Sequence, residues 1–315
     1  MQGIVYKSTG SWYTVKNQQG NVYQCRIKGK FRIKGIKSTN PIAVGDSVSF
    51  ELEKKGDETL GVIYSIEERK NYIIRKSVNL SKQTHIIAAN LDQVFLMVTL
   101  NSPTTYTSFI DRFLVTAEAY EIPAILLFNK IDSYNEEERG EVNYLMHMYK
   151  AIGYKCIELS AKNGINIDAV QELMKDKISM FSGHSGVGKS TLVNALEPGF
   201  KLKTAEISEQ HLQGQHTTTF AEMYDLSFGA QIIDTPGIRG FGIVAMEKDE
   251  IGDYFPEFFK LKSECKFNNC MHIDEPKCAI KEALDANEIS WSRYRSYVQM
   301  VNDEDDNYRT DIYKK

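Results

Sequence analysis

The stretch GHSGVGKS, residues 183–190, constrains this chain more than any other feature, because of where it stands. An apolar segment, ISMF, leads into it and TLVNAL follows, so the pattern reads strand, glycine-rich turn, helix. Such a turn aims successive backbone N–H groups at an anion, with the positive end of the next helix behind them. The expectation is a phosphate loop made by Gly183, His184, Ser185, Gly186, Val187, Gly188, Lys189, Ser190 and Thr191. Lys189 is expected at the outer phosphates and the Ser190 hydroxyl on Mg²⁺. Loops of this kind usually stand near the start of their domain, yet here about 180 residues come first.

Those residues alternate between two patterns. DQVFLMVTL (92–100), AILLF (124–128) and KCIEL are apolar runs of the kind buried on both faces of a parallel sheet. SFIDRFLVTAEAY, residues 136–150 and INIDAVQELMKD have helical spacing, so the chain predicts a parallel sheet with helices on both faces. Two of the runs end in polar loops, where open α/β sheets bind ligands. NKID supplies Asn129, Lys130 and Asp132, and SAK supplies Ser160, Ala161 and Lys162. A carboxylate at Asp132 can accept two N–H bonds from a guanine edge, which adenine does not offer. Asn129 is expected to hold a neighbouring loop and the base, and the Ala161 amide to meet the guanine oxygen. Downstream, AQIIDTPGIRG places Asp234 at a strand end for Mg²⁺ and the Gly237 amide near a γ-phosphate. GQHTTTF offers Thr217 and Thr218 to the same metal, and both remain open. The parts of a GTPase are therefore all present, with base-binding loops first, phosphate loop second and switches last. Because every loop lies on one rim of the sheet, such a circular permutation leaves the site intact.

The flanks differ in character. Residues 1–70 hold twelve Lys or Arg against seven Asp or Glu, although the whole chain is at −4. Short alternating segments between Gly, Asn and Asp predict about five strands and a small barrel of the oligonucleotide-binding type. Within RIKGKFRIKGIK, Arg26, Lys28, Lys30, Arg32 and Lys34 share one face of an extended strand, a pattern suited to the phosphates of a nucleic acid that the pattern itself does not specify. Residues 71–92 read as a linker. At the other end, Cys265, Cys270, His272 and Cys278 form C-x4-C-x-H-x5-C, enough for one tetrahedral Zn²⁺. Two helices follow, CAIKEALDAN and SWSRYRSYVQMV, the second carrying Arg293 and Arg295. The chain contains no run of about 18 apolar residues, and MQGIVYKSTG has no signal-peptide core, so a cytoplasmic protein is expected. In that compartment clustered cysteines read as metal ligands rather than disulfides. The expected organisation is multidomain: a barrel at 1–70, a permuted α/β phosphate-loop domain at 71–245 and a zinc-binding helical module at 246–315.

One catalytic part is unusual. Many GTPases place a glutamine after the DxxG glycine to orient water, but Ile238 stands there. His216, beside the candidate threonines, can accept a proton and orient water near pH 7, and is the expected substitute. Over nearly its whole length the chain resembles the RsgA (YjeQ) family of small-subunit-dependent GTPases. NKID, SAK, GHSGVGKS, GQHTTT, DTPGIRGFG and the cysteine–histidine module ending EPKCAI carry the likeness. The resemblance implies GTP hydrolysis stimulated by the small ribosomal subunit, contact with its rRNA, and a role in late maturation of that subunit. It also points to His216, since that histidine recurs in the family's HTTT segment. Gly240 and Lys277 depart from the family pattern, after the switch arginine and before the last cysteine. A monomer is expected. The rival expectation is an RNA-binding assembly factor for which bound GTP only sets shape.

Overall fold

In the computed structural model, residues 1–28, 41–55, 58–76, 84–200, 221–234 and 246–302 are described. Alternating apolar residues near the start build β1 (Gln2–Ser8), β2 (Tyr13–Asn17) and β3 (Val22–Ile27), followed by β4 (Ser47–Lys55) and β5 (Glu58–Ile66). β1 pairs with β2, β2 with β3, β3 in parallel with β5, β5 with β4, and β4 again with β1. The ring closes, so the five strands form a barrel filled by Val5, Tyr13, Val15, Cys25, Ile42, Val48, Phe50 and Ile63. Of the basic run, Arg26 lies on β3 and Lys28 just past it; Lys30, Arg32 and Lys34 lie outside the described residues. The run has no acid of its own, but β4 supplies one: Lys28 Nζ pairs with Glu51 at 3.0 Å.

The stretch expected to be a linker is folded. β6 (Tyr72–Lys76) and β7 (Thr84–Ala89) form an antiparallel pair. Asn71 closes its base, its Nδ2 donating to Leu91 O and its Oδ1 accepting the Leu91 N–H, both at 2.8 Å. Buried Ile73, Ile86, Ala88 and Ala89 anchor the hairpin by apolar packing. It also grips the barrel, because Val44 bridges Ala88 and the Ala89 N–H donates to Val44 O at 2.8 Å. Beside that bridge, Asp46 is fully buried and takes two 2.6 Å hydrogen bonds from Arg69, at the exit of β5.

The α/β domain contains β8 (Gln93–Val98), β9 (Ala124–Phe128), β10 (Lys155–Glu158), β11 (Ile178–Ser182), β12 (Glu222–Asp225) and β13 (Gln231–Asp234). Across the sheet they run β10-β9-β8-β11-β13-β12, parallel except for β12, which pairs antiparallel with β13 and with β1 of the barrel. From β8 the chain winds outward to β10, then crosses back and starts again at β11 beside β8. The winding direction reverses there, which opens a crevice at the carboxyl ends of those two strands. Side chains of β8 alternate between the two cores. Val94, Leu96 and Val98 meet α1 (Thr107–Ala119) and α2 (Glu136–Ile152), while Phe95 and Met97 meet α3 (Ile167–Met174) and α4 (Lys189–Leu196). The C-terminal module comprises α5 (Pro256–Leu261), α6 (Ala279–Asp285) and α7 (Trp291–Asn302), packed around Phe255, Phe258 and Tyr297. Among the described residues no helix is long and apolar enough to cross a membrane.

Gly45 sets the barrel against the hairpin. Its φ is +92°, and a Cβ there would stand 2.0 Å from Ala89 O. Left-handed strain and a backbone clash coincide, so Gly45→Ala is expected to lower unfolding stability by about 2 kcal/mol or more. Urea denaturation of the variant checks this.

Candidate nucleotide and metal sites

β11 ends at Ser182 and α4 begins at Lys189, so residues 183–188 turn directly off the sheet onto a helix N-terminus. Gly188, at φ +102°, allows the turn to lie against Asn129; a Cβ there would come within 2.4 Å of Asn129 Nδ2. Lys189 folds back across the loop, its Nζ donating to the carbonyl oxygens of Gly183 at 2.6 Å and His184 at 2.8 Å. Burial pushes this ammonium down to about 8, against the opposing pull of Asp234 at the end of β13. Ser185, Gly186, Ser190 and Thr191 are exposed on the same turn and helix start. The turn and helix start thus carry an ammonium and two exposed serines, donors of the kind that suit phosphate oxygens.

Asn129 is the centre of the rim. It is buried at the end of β9, its Nδ2 donates to Val187 O at 2.8 Å, and its Oδ1 accepts the Ala161 N–H at 3.0 Å. One carboxamide thus ties the phosphate loop to the SAK loop. The Ala161 amide, expected at the guanine oxygen, is engaged by Asn129, so a base oxygen would share that donor or take a neighbouring one. Asp132 is exposed, and its Oδ1 accepts a 2.5 Å hydrogen bond from the buried Ser160 hydroxyl, which itself accepts the Asn163 N–H at 3.1 Å. Lys130 Nζ donates to Ser102 O, and the Tyr134 hydroxyl braces Asn129 O at 2.8 Å from below. Lys162 is exposed beside them. His216, Thr217, Thr218 and Gly237 lie outside the described residues, as does Gly240.

The metal candidates come together. The ligand atoms of Cys265, Cys270, His272 and Cys278 all lie within 4.8 Å of one another. His272 Nδ1 is 3.6 Å from Cys265 Sγ and 3.4 Å from Cys278 Sγ, and the two sulfurs are 4.0 Å apart. Tetrahedral Zn–S bonds of about 2.3 Å put ligand atoms roughly 3.8 Å from one another, so the set fits zinc. Burial pushes the His272 imidazole down, favouring the neutral form a metal takes. Lys277, a departure from the family pattern, holds φ +58°, the left-handed turn that glycine adopts freely.

Three contacts were not legible beforehand. Arg293, placed by its sequence only on a helix, is fully buried and pairs with Asp111 of α1 and Glu257 of α5. Arg26 stacks its guanidinium 3.9 Å from the Trp12 ring centre. Phe109 of α1 lies against the His184 ring, centres 4.0 Å apart. The only sequence signal was Asp111 itself, a charge inside the apolar helix pattern SFIDRFLV.

Because Asn129 is buried and both its bonds go to loops, Asn129→Ala strands a carbonyl and an amide. It is expected to cost roughly 1–3 kcal/mol of stability and to raise the GDP dissociation constant about tenfold or more, a loss of about 1.4 kcal/mol. Urea denaturation and nucleotide titration measure the two effects.

The profile of the RsgA GTPase family matches residues 66–244, and that of the RsgA N-terminal domain matches residues 2–63. The chain is 68% identical over 315 residues to the small ribosomal subunit biogenesis GTPase RsgA of Christiangramia forsetii, covering all of both chains. It is 66% identical over 313 residues to its counterpart in Flavobacterium johnsoniae, covering 99% of this chain and 96% of that one. Among solved structures, YjeQ from Thermotoga maritima superposes with a TM-score of 0.78 at 38% identity, over 95% of this chain and 96% of that one. YloQ, described as a circularly permuted GTPase, superposes with a TM-score of 0.73 at 28% identity, over 95% and 93%. With NKID and SAK placed ahead of the phosphate loop on one sheet rim and matches along its whole length, the chain belongs to the RsgA family of circularly permuted GTPases.

Proposed function

We propose that this chain hydrolyses GTP to GDP and phosphate on the small ribosomal subunit, during late maturation of that subunit, and that the subunit stimulates its turnover. The observation carrying this reading is the meeting of the phosphate loop, NKID and SAK on one buried carboxamide, in a chain matched end to end by a GTPase named for that process. Asp132, aimed by Ser160, accepts the guanine N–H groups, while Lys130 and Lys162 flank the base. Lys189 neutralises the outer phosphates, and the Gly237 amide sits at the γ-phosphate. Ser190, Asp234 and one of Thr217 and Thr218 hold Mg²⁺, which when bound neutralises phosphate charge. His216 orients the attacking water and accepts its proton. Cys265, Cys270, His272 and Cys278 hold one structural Zn²⁺. Arg26, Lys28, Lys30, Arg32 and Lys34 meet rRNA phosphates, with Trp12 beneath Arg26 as a flat apolar partner. The reading makes the protein a cytoplasmic monomer, with domains at 1–70, 71–245 and 246–315.

Phosphate release with and without purified small subunits is the direct test. Stimulation of at least about tenfold is expected, equal to about 1.4 kcal/mol of barrel-and-module binding expressed in the transition state. His216→Ala should bind GTP almost normally yet lose most of the stimulated rate. Equal turnover with and without subunits would instead favour a scaffold that uses GTP only for shape.

Base selection is tested separately. Asp132→Asn should weaken GTP and strengthen xanthosine triphosphate, since the hydrogen-bond pattern required of the base edge is reversed; competition titrations read this out. For the metal, elemental analysis should find about one zinc per chain, and chelation should lower the stability of the C-terminal module. A folded, zinc-free module would show that the four side chains are core residues only.

A further inference from the structure

We infer that Phe109, Asp111 and Arg293 are positioning residues for the phosphate loop, with α1 transmitting the seating of the C-terminal module to the residue that anchors Lys189. The inference rests on reading residues 183–190 as the phosphate loop and goes beyond it to what holds that loop in place.

α1 is buried on two sides. Ile110, Phe113, Leu114 and Ala117 pack under the sheet, whereas Val115 belongs to the core of the C-terminal module. Asp111 lies one turn before Val115 and is fully buried. Its Oδ1 accepts a 2.8 Å hydrogen bond from Arg293 Nη1 on α7 and another from the Tyr149 hydroxyl on α2. Glu257 on α5 accepts from Arg293 Nε at 2.7 Å and Nη2 at 3.1 Å, and the guanidinium lies 4.4 Å from the Phe255 ring centre. A buried cation cannot leave either carboxylate without stranding a charge in an apolar interior. The triad therefore fixes α1 against slip and rotation relative to the module.

Two residues before Asp111, the Phe109 ring packs on His184, centres 4.0 Å apart and planes 33° from parallel. Burial pushes the His184 imidazole down, so this is a neutral ring contact. The carbonyl of the same His184 accepts Lys189 Nζ. A shift of α1 at Asp111 is thus carried through Phe109 to the residue that holds the ammonium destined for phosphate. Coupling between binding sites is reciprocal, so nucleotide must in turn tighten α5 and α7.

Hydrogen exchange on the full chain, with and without GDP, tests this in the parent, Phe109→Leu, Asp111→Asn and the double variant. In the parent, GDP is expected to slow exchange in residues 183–196 and, at least threefold, in residues 256–261 and 291–302. Leucine keeps the apolar bulk at position 109 but loses the ring contact. Phe109→Leu should therefore retain protection of the loop, lose most of it in α5 and α7, and bind GDP three- to tenfold more weakly. Asp111→Asn should behave alike, and the double variant should be no weaker than the weaker single. Indifference of α5 and α7 to GDP in the parent, unchanged protection in Phe109→Leu, or multiplying losses in the double variant would overturn the inference. Should Asp111→Asn fail to fold, the parent and Phe109→Leu decide it alone. Absence of GDP protection at residues 183–190 in the parent would overturn the nucleotide-site reading first, and this inference with it.

Discussion

The carboxamide of Asn129 is the joint on which the nucleotide rim depends. Its two partners are remote in sequence, 58 residues away at Val187 and 32 away at Ala161. They are neighbours because β11 lies beside β8 and β9 lies on its other side. A buried amide with both ends bonded costs little to keep and about 1–3 kcal/mol per stranded partner to lose. That asymmetry holds three loops at one spacing whatever order the chain visits them in. It is the physical reason a permuted sequence can keep the same rim: the contacts run between strand ends, and the chain termini are elsewhere.

Permutation changes what lies next to the strands that follow the phosphate loop. β12 is the outermost strand of the α/β domain, and left uncovered such a strand invites association with other chains. Here β1 of the barrel pairs antiparallel with it, Lys7 opposite and ion-paired to Glu222, with both Lys16 and the Tyr6 hydroxyl bonded to Asp225. These ion pairs are substantially exposed, so each contributes at most about 1 kcal/mol. The stronger attachment is the buried one, where Gly45 and Val44 seat against Ala88 and Ala89 and Asp46 clasps Arg69. The barrel is therefore held at two places, by the hairpin and by the pairing of β1 with β12.

Much of this was legible in the residues. Apolar runs ending in NKID, SAK, GHSGVGKS and DTPG mark strand ends, because a parallel strand must be apolar throughout and its ligand loop must not be. Spacing alone brought Cys265, Cys270, His272 and Cys278 together, since four soft ligands in one short loop have few other uses. The hairpin at 72–89 was less visible: its apolar residues are interrupted by the polar run SKQTH, and the bonds from Asn71 to Leu91 that close its base leave no mark in the spacing. Arg293 was invisible for a different reason. A helical pattern shows which residues share a face, and nothing in it shows that a cation will be matched by Asp111, far away in the sequence. Lys28 gave the same lesson on the surface, because the acid facing it comes from β4.

An ion triad between modules needs a reason, since an apolar contact of the same size would be at least as stable. Apolar surfaces can slide over one another with little penalty, whereas Arg293 meets Asp111 and Glu257 in one arrangement only. That arrangement requires α5 and α7 to keep a fixed separation, and the cysteine–histidine loop lies between them. The Tyr297 hydroxyl donates to Met271 O at 2.6 Å and the Tyr294 hydroxyl to His272 O at 2.8 Å, which sews α7 to that loop. Phe258 of α5 packs edge-on to His272 and to Tyr297. A metal drawing the four ligands together would therefore set the distance from Glu257 to Arg293, and through Asp111 the seat of α1. The four ligand atoms, within 4.8 Å of one another, would then make the metal loop the spacer of the triad.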